Sequence, residues 1–238
     1  MNKSENNLQV RAATLDDARE FLAELQREDT KVAAPNCPPF YKAIKRLFDI
    51  LTSIVALILL SPLFLFSAIL VFLSSPGPIF FRQERAGKNG KSFTMFKFRT
   101  MHLNAEKNRQ AVEDLNCQSG PVFKAPDDPR LIWAGKFLRR SSLDELPQLL
   151  NVLRGEMSIV GPRPLWIVEA KKAVGAARFR TAVKPGLTCI WQVSGRSELS
   201  YEQWVLLDLF YIKRRSLLLD LFIILQTIPA VLTGHGAF

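Results

Sequence analysis

The longest stretch without a charged residue constrains this chain more than any other feature. No Asp, Glu, Lys or Arg occurs in residues 50–81, and residues 50–73 are dense in Leu, Ile, Val and Phe. A helix over residues 50–73 would extend roughly 36 Å, which exceeds the hydrocarbon core of a bilayer at about 30 Å. The segment is therefore long enough to enter a membrane, and a buried helix of a soluble protein is the less favoured interpretation.

Two features indicate how this segment meets the bilayer. Ser61 and Pro62 lie in its middle, where the proline bends a helix and the serine hydroxyl can satisfy a carbonyl that the proline leaves free. Basic residues flank both ends, and the positive-inside tendency places both flanks in the cytoplasm. A straight span cannot satisfy both flanks, so we favour a re-entrant helix that breaks at Ser61-Pro62, with Lys45 and Arg46 as anchors at the interface.

Three regions follow along the chain. Residues 1–40 are polar, so a secretory signal peptide is not expected, and the spacing of Thr14 and Asp17 predicts a capped short amphipathic helix before a proline-rich linker. Residues 41–81 form the predicted re-entrant helix and its exit. Residues 82–238 form a small cytoplasmic domain of the mostly helical α+β class, in which residues 217–232 are predicted to be an interfacial helix.

The charge balance narrows the range of partners. The chain carries 32 Lys and Arg against 22 Asp and Glu, and the acidic excess of residues 1–40 leaves the positive charge to the rest. A region with this positive charge is typical of proteins that bind nucleic acid, anionic lipid headgroups or phosphorylated small molecules. Three widely spaced cysteines and two histidines argue against a disulfide framework, a structural zinc site and most histidine-based catalysis.

Residues 142–147 contain the most informative acidic pair. Ser142 and Glu145 have the spacing of a capping box, and Pro147 is tolerated within about the first turn of a helix. We therefore predict that Asp144 and Glu145 lie at a helix N-terminus, where they can simply complement the helix dipole. They can also be catalytic, with an ionised Asp144 as nucleophile and Glu145 holding a magnesium ion that substrate phosphates complete.

Basic side chains surround this pair in the sequence. Residues 96–99 alternate aromatic and basic side chains as a strand does, which places Lys97 and Arg99 on one face. Arg163 lies between two prolines, a rigid mount for a phosphate contact. Beside a membrane segment, these residues indicate a diphosphate-bearing substrate and an anionic lipid head. The candidate substrate-binding residues are Lys97, Arg99, Arg130, Arg139, Arg163, Gln192 and Arg196. Trp191 fits either a core position or a stacking surface.

Residues 41–238 resemble the bacterial sugar transferases known as monotopic phosphoglycosyl transferases. The matching stretches occur in the order and spacing of that family: Lys45-Arg46 with Asp49, Ser61-Pro62, Ser75-Pro76-Gly77-Pro78-Ile79-Phe80-Phe81, Lys97-Phe98-Arg99-Thr100-Met101, Asp128-Pro129-Arg130, Leu143-Asp144-Glu145-Leu146-Pro147-Gln148-Leu149, Gly161-Pro162-Arg163-Pro164 and Gly195-Arg196. Departures are small. Glu156 stands where Asp is commoner, and Cys189-Ile190 replaces a frequent glycine after the Pro-Gly turn.

The resemblance implies an activity and a mechanism. It implies that Asp144 attacks the β-phosphate of a UDP-sugar, that UMP leaves, and that polyprenyl (undecaprenyl) phosphate then takes the phosphosugar from the aspartate. It also implies that Glu145 binds Mg²⁺, that Lys97, Arg130, Arg139 and Arg163 handle phosphates, and that the protein acts on the cytoplasmic face of the bacterial inner membrane. We expect a hexose such as galactose or glucose, and an early step of exopolysaccharide, O-antigen or glycan assembly.

Two other classes of function remain open from the residues. A membrane-tethered nucleic-acid binder would use the basic body, but the basic residues form neither a single run nor a recognised motif, so no nucleic acid is expected. A non-catalytic membrane scaffold would tolerate loss of Asp144. A homodimer and contacts with downstream glycosyltransferases also remain open.

Overall fold

Two apolar helices joined at a sharp bend begin the part of the chain that the computed structural model describes, which comprises residues 37–105, 110–116, 125, 127–173, 175–234 and 236. Helix α1 (Pro39–Leu59) and helix α2 (Ser61–Ser74) are inclined to each other by 64°. The hydroxyl of Ser61 donates to the carbonyl of Ile58 at 2.8 Å, as predicted for the carbonyl next to the break. The predicted break at Ser61-Pro62 is therefore confirmed, whereas the helix predicted within residues 1–36 lies outside the described residues.

Among the described residues, no single helix is long and apolar enough to cross a membrane. The bent pair meets the requirement of length and composition only when its two helices are taken together.

The elements that follow are mostly short helices with two small sheets. They are β1 (Phe80–Ala86), β2 (Ser92–Phe98), α3 (Gly135–Arg140), α4 (Gln148–Arg154), β3 (Ser158–Val160), α5 (Ile167–Lys172), β4 (Gly186–Thr188), α6 (Ile190–Val193), α7 (Tyr201–Arg214) and α8 (Leu217–Thr233), with 3-10 segments at Lys88–Gly90, Gln110–Leu115, Leu143–Glu145, Gly175–Ala182 and Arg196–Glu198. The predicted α+β class with mostly helical content is confirmed, and the second apolar segment is the predicted helix, α8.

The strands β1 and β2 form an antiparallel hairpin in which Phe81 lies opposite Lys97. Because side chains alternate along a strand, Met95 and Lys97 share one face while Phe98 occupies the other. Met95 belongs to the main hydrophobic core, and Phe98 packs with Val71 of α2 in a second cluster. The hairpin therefore lies between the core and the bent helix pair.

The parallel strands β3 and β4 lie in the main core, which the helices α4, α6, α7 and α8 surround. Gly161 follows β3 and Gly186 begins β4, and their backbones approach so closely that a Cβ on Gly186 would lie 2.1 Å from the Gly161 nitrogen. Only glycine permits this approach. It fixes the position of the loop that leaves β3, and that loop carries Arg163.

Polar side chains join α1 to the rest of the fold. The Lys45 ammonium donates to the Asp220 carboxylate at 2.7 Å and to the Val160 carbonyl at 3.2 Å. The Arg46 guanidinium donates to the carbonyls of Val152 and Leu153 at the end of α4, at 2.6 and 2.8 Å. Both side chains that we interpreted as interfacial anchors are thus bonded to protein groups. For Arg46 the reason is local, since the last carbonyls of helix α4 need donors from outside the helix.

The buried carboxylate of Asp49 completes this join. It accepts hydrogen bonds from the Ser158 hydroxyl at 2.9 Å and from the Ile159 backbone N–H at 3.0 Å. Lys45, Asp49 and Ser53 are four residues apart and therefore lie on one face of α1. That face is turned to the protein, while Leu51, Val55, Ile58 and Leu59 on the other faces are exposed.

Candidate active site

The acidic pair lies on a 3-10 turn between α3 and α4. The backbone N–H of Ser142 donates to the Arg139 carbonyl, and Ser142 has a positive φ of 57° without a side-chain cap bond. Ser142 therefore ends α3 in the way that left-handed residues often end helices, and α4 begins at Gln148, after Pro147. The predicted capping box is wrong for this reason, and Asp144 and Glu145 precede the α-helix instead of starting it.

Two cations hold Glu145. The Lys97 ammonium donates to Glu145 Oε1 at 2.8 Å, and the Arg163 guanidinium donates to the same oxygen at 2.7 Å. Lys97 also approaches Asp144 Oδ2 at 3.5 Å. Lys97 comes from the end of β2 and Arg163 from the loop after β3, so three separate parts of the fold meet at the acidic turn. The structure thus brings together four of the predicted site residues.

The two carboxyl groups differ in their electrostatic surroundings. Burial by itself would raise the pKa of Glu145, but Arg163 and Lys97 hold that pKa well below its usual range. Burial raises the pKa of Asp144 above its ordinary value and Glu145 adds to the rise, although Lys97 and Arg139 oppose it. Neighbouring acids whose pKa values are pushed apart are suited to different roles. The charged form of Glu145 is therefore the better stabilised of the two carboxylates, and that of Asp144 the less stabilised.

Three further predicted residues lie around this centre. Arg139 donates to the Thr100 hydroxyl at 3.1 Å, and its charge acts on both Asp144 and Asp128. The Arg130 guanidinium donates to both carboxylate oxygens of Asp128, at 2.9 and 2.6 Å. Arg196 lies close enough to Glu145 and Arg163 for both to act on its pKa. The site is therefore a concentration of positive charge around one acidic turn.

Arg99 and Gln192 have other partners. Arg99 follows the last residue of β2 and is buried, and its guanidinium donates to the carbonyls of Pro78 and Ser75 and to the Ser75 hydroxyl. It thus stabilises the exit from α2 instead of facing the acidic pair with Lys97. The side-chain oxygen of Gln192 accepts from the Cys189 thiol at 3.0 Å. We predicted that Arg99 shares the face of Lys97 because side chains alternate along a strand. Strand β2 ends at Phe98, so the alternation does not extend to Arg99.

The turn also contacts the bent helix pair. Leu143 and Leu146, on either side of the acidic residues, pack in the cluster that contains Val71 of α2 and Phe98 of β2. The carboxyl groups therefore lie next to a surface that the apolar helices help to build. Sequence patterns did not predict this contact, because apolar residues within a short turn carry no signal of their partner.

The carboxylates of Asp144 and Glu145 suit a magnesium ion that takes few of its ligands from the protein. The described residues include no group of three or more His, Cys, Asp or Glu side chains that could hold a metal. Lys97 and Arg163 both bond Glu145 Oε1, and no hydrogen bond to Glu145 Oε2 or Asp144 Oδ1 occurs among the described residues. Mg²⁺ in nucleotide enzymes commonly takes one or two carboxylates and completes its shell with phosphates and water. The pair is therefore compatible with Mg²⁺ bound together with a phosphorylated substrate.

Comparisons with known proteins cover nearly all of the described chain. The family model for bacterial sugar transferases matches residues 40–234. The exopolysaccharide production protein ExoY of Sinorhizobium fredii is 47% identical over 198 residues, which make up 82% of this chain and 88% of that protein. The undecaprenyl-phosphate galactose phosphotransferase of Salmonella typhimurium is 38% identical over 203 residues, or 82% of this chain and 42% of that protein.

A third relative carries a different sugar in its name. The UDP-N-acetylgalactosamine-undecaprenyl-phosphate N-acetylgalactosaminephosphotransferase of Aeromonas hydrophila is 38% identical over 209 residues, which cover 84% of this chain and 46% of that protein. The matched residues 40–234 contain the bent helices, the acidic turn and every cation described around it. The chain therefore belongs to the bacterial sugar transferase family.

Proposed function

We propose that this protein transfers a sugar-1-phosphate from a UDP-sugar to undecaprenyl phosphate in exopolysaccharide or glycan assembly. The observation that carries the proposal is the acidic turn, which lies between Lys97 and Arg163 and packs against α2 through Leu143 and Leu146. A diphosphate needs cations, and a polyprenyl chain needs an apolar surface. The relatives named as undecaprenyl-phosphate phosphotransferases support the same substrates.

Asp144 is the nucleophile in this proposal. A carboxylate oxygen of Asp144 attacks the β-phosphorus of the UDP-sugar, and the bond from that phosphorus to the bridging oxygen breaks. UMP leaves with the bonding electrons, and the sugar phosphate remains on Asp144 as an acyl phosphate. An oxygen of undecaprenyl phosphate then attacks the same phosphorus, which releases the Asp144 carboxylate and forms undecaprenyl-diphosphate-sugar. The raised pKa of Asp144 supports this role, because a less stabilised carboxylate is the better nucleophile.

The surrounding cations would position phosphates and offset their charge. Lys97 and Arg163 lie at the acidic pair, and the charges of Arg139 and Arg196 act on it. Preorganised cations aimed at developing charge commonly supply a large part of the catalysis of phosphoryl transfer. Arg130 is less direct, since its guanidinium is bonded to Asp128. We assign it the role of orienting the loop next to Arg139.

Glu145 would hold Mg²⁺ through the oxygen that Lys97 and Arg163 leave unbonded. When bound, the ion would neutralise part of the diphosphate charge. Because the protein offers few ligands, we expect weak binding without nucleotide and strong binding with it. Excess chelator should therefore stop UMP release without lowering the melting temperature of the substrate-free protein, and full activity in chelator would contradict a role for the metal.

The bent helix pair would lie in the cytoplasmic leaflet of the bacterial inner membrane as a re-entrant helix. Its apolar residues face outward, with Phe72 67% and Leu59 71% exposed, while its buried positions include Asp49 and Ser53. This is the reverse of a soluble helix, which turns its apolar stripe inward. Helix α8 adds further outward residues such as Leu218 and Leu232. Lipid is the surrounding that such surfaces match.

The sugar is proposed to be a hexose such as galactose or glucose. Relatives of similar identity are named for galactose and for N-acetylgalactosamine, so the similarity does not separate these substrates. Incubation of the purified protein in lipid nanodiscs with undecaprenyl phosphate and a panel of UDP-sugars should give UMP release with one of the hexoses. Release with an N-acetylated sugar alone would correct the sugar and leave the reaction unchanged.

The nucleophile is tested by Asp144→Asn. The amide keeps the shape of the side chain but cannot form the acyl phosphate, so UMP release should fall on the order of a thousandfold or more while the protein still folds. The matched control is Asp127→Asn, which removes an exposed carboxylate paired with Lys136 and should keep normal turnover.

Wild-type protein incubated with UDP-sugar but without lipid should release UMP in an amount limited by the enzyme concentration. The same sample should carry one added sugar-phosphate mass on the peptide that contains Asp144. Near-normal turnover of Asp144→Asn, or the added mass on another peptide, would contradict the assignment of Asp144 as the nucleophile. Lipid-dependent turnover with no adduct would make Asp144 a general base for direct attack by the lipid phosphate.

A further inference from the structure

Two stacked tryptophans lie next to the arginines of the site. Trp191 in α6 and Trp204 in α7 have ring centroids 4.4 Å apart and ring planes inclined by 16°, and both are buried. The guanidinium carbon of Arg163 lies 5.9 Å from the centroid of the Trp191 ring, within the range of a cation–π contact. The aromatic pair therefore touches one of the two cations that hold Glu145.

The second tryptophan fixes the backbone of another site arginine. The indole N–H of Trp204 donates to the carbonyl of Arg196 at 3.1 Å. Arg196 has a positive φ of 51°, and it follows Gly195, whose φ is 138°. A non-glycine residue in this region is unfavourable and persists where surrounding contacts determine its conformation. The Trp204 indole supplies such a contact from a helix that the core holds rigidly.

The two arginines act on the same carboxylate. Arg163 donates to Glu145 at 2.7 Å. Burial lowers the pKa of Arg196, Glu145 opposes that shift and Arg163 reinforces it. The charge of Arg163 disfavours the charged form of Arg196 even with Glu145 present, so the two arginines need a scaffold that keeps them in place before substrate binds.

We propose that Trp204 is a positioning residue that sets Arg163 and Arg196 for the diphosphate of the nucleotide-sugar, through the Trp191 stack on one side and the Arg196 carbonyl on the other. This inference rests on the proposed function. Trp204 does not touch the reacting atoms in this role. It acts on the substrate through the two arginines, and its loss should weaken diphosphate binding more than the chemical step.

The test is Trp204→Phe, which keeps a ring against Trp191 and removes the N–H donor. The KM for UDP-sugar should rise about tenfold while kcat changes less than about twofold, since one hydrogen bond to the arginine loop is lost. In an Arg196→Ala background the same substitution should have no further effect on kcat/KM, because the group that it positions is already gone. A purely structural role would lower kcat/KM equally in both backgrounds.

A control variant separates positioning from stability. Phe179→Leu shortens a buried aromatic side chain in the cluster that packs against Val205 and Leu209 on α7, away from the two tryptophans. It should lower the melting temperature at least as much as Trp204→Phe and leave KM unchanged. If Trp204→Phe does not accumulate as folded protein, Trp191→Leu tests the same pair. Its rise in KM should disappear in an Arg163→Ala background.

Three results would decide the matter. An unchanged KM for Trp204→Phe, or equal losses in both backgrounds, would overturn the positioning role while leaving the proposed reaction intact. Wild-type protein that releases no UMP from any UDP-sugar would contradict the proposed function itself.

Discussion

A buried ion pair joins α7 to the 3-10 segment Gly175–Ala182. Arg180 Nε donates to Asp208 Oδ2 at 2.7 Å, and both side chains are almost fully buried. One guanidinium nitrogen of Arg180 and the second oxygen of Asp208 are buried without a hydrogen-bond partner among the described residues. Burying two charges costs several kcal/mol per ion, and a single bond offsets only part of this. Burial accordingly raises the pKa of Asp208 to about 6 in spite of Arg180.

This pair predicts a pH dependence of stability. Asp208 keeps its proton up to about pH 6 in the folded chain but only to its ordinary pKa of 3.8 when unfolded. Between these values the folded state binds more protons, so its stability falls as pH rises, by up to about 3 kcal/mol, and is level above pH 6. The unfolding free energy of the wild type should therefore fall relative to that of Asp208→Asn as pH rises from about 4 to 6, because asparagine stays neutral. A constant difference between the two unfolding free energies over this pH range would contradict the raised pKa of Asp208.

Single residues of the site could be predicted where charge or backbone chemistry marks them. Asp144, Glu145, Lys97 and Arg163 were identified from acidic, basic and proline-flanked positions, and the structure brings them together. Trp204 could not be identified in this way, since an aromatic residue in an apolar helix resembles any core residue. Its role depends on a carbonyl eight residues away that happens to face its indole.

At the scale of elements, α1 carries its polar residues inward. Asp49 is buried against Ser158 and Ile159 of β3, and Lys45 reaches Asp220 of α8. These charge-assisted bonds are stronger than neutral ones, and they join the apolar helix to the strand that leads to Arg163. Helix α1 is thus attached to β3 and α8 by hydrogen bonds, on the face where a helix of a soluble protein would carry apolar side chains.

Asp49→Ala should lower the free energy of unfolding in detergent by about 2 kcal/mol or more. The substitution leaves the Ser158 hydroxyl and the Ile159 N–H buried without an acceptor, which costs about 1–3 kcal/mol for each group. Asp49→Asn keeps one acceptor oxygen and should fall between the wild type and the alanine variant. Asp127→Asn, on an exposed carboxylate, should have little effect. Equal stability of Asp49→Ala and the wild type would show that the join does not hold α1.

Helices and their breaks were predicted more reliably than their ends. The bend at Ser61-Pro62 and helix α8 follow from proline chemistry and from apolar runs, which act locally. The capping box at Ser142 failed, because Ser142 is needed to end α3. Ser142 could either end α3 or cap the following helix, and the spacing of the capping-box motif does not show which of the two it does.

At the scale of the whole molecule, the exposed large apolar side chains among the described residues are concentrated on α1, α2 and α8. Phe137 of α3 extends this surface, since its ring contacts Phe66 of α2 at a centroid distance of 6.4 Å. The apolar run in the sequence predicted a membrane segment, but not that α3 adds to its apolar surface. A six-residue helix is too short for its sequence pattern to reveal an apolar face. The packing of distant segments decides which short helices join such a surface.

Both ends of the bent pair are expected on the cytoplasmic side. In a cysteine-free background, single cysteines at Lys42 and Lys88 should be protected from an impermeant maleimide in intact cells and should react after the cells are opened. Combined Ser61→Ala and Pro62→Leu changes would remove the bend and should expose position 42 to the outside. Ser67→Ala, which removes a hydroxyl bond to Leu63 within α2, should leave the protection unchanged. Labelling of position 42 from outside in the unaltered helix pair would establish a straight span.

The antiparallel pairing of β1 and β2 limits how this sequence can change in evolution. Lys97 faces the acidic turn, and Phe98, one residue later, packs against the bent helices. Inserting or deleting one residue within β2 would exchange the places of the lysine that bonds the acidic turn and the phenylalanine that packs in the apolar cluster. Strand residues can therefore be gained or lost only two at a time. Single-residue changes in length are confined to the exposed connection around Lys88–Gly90.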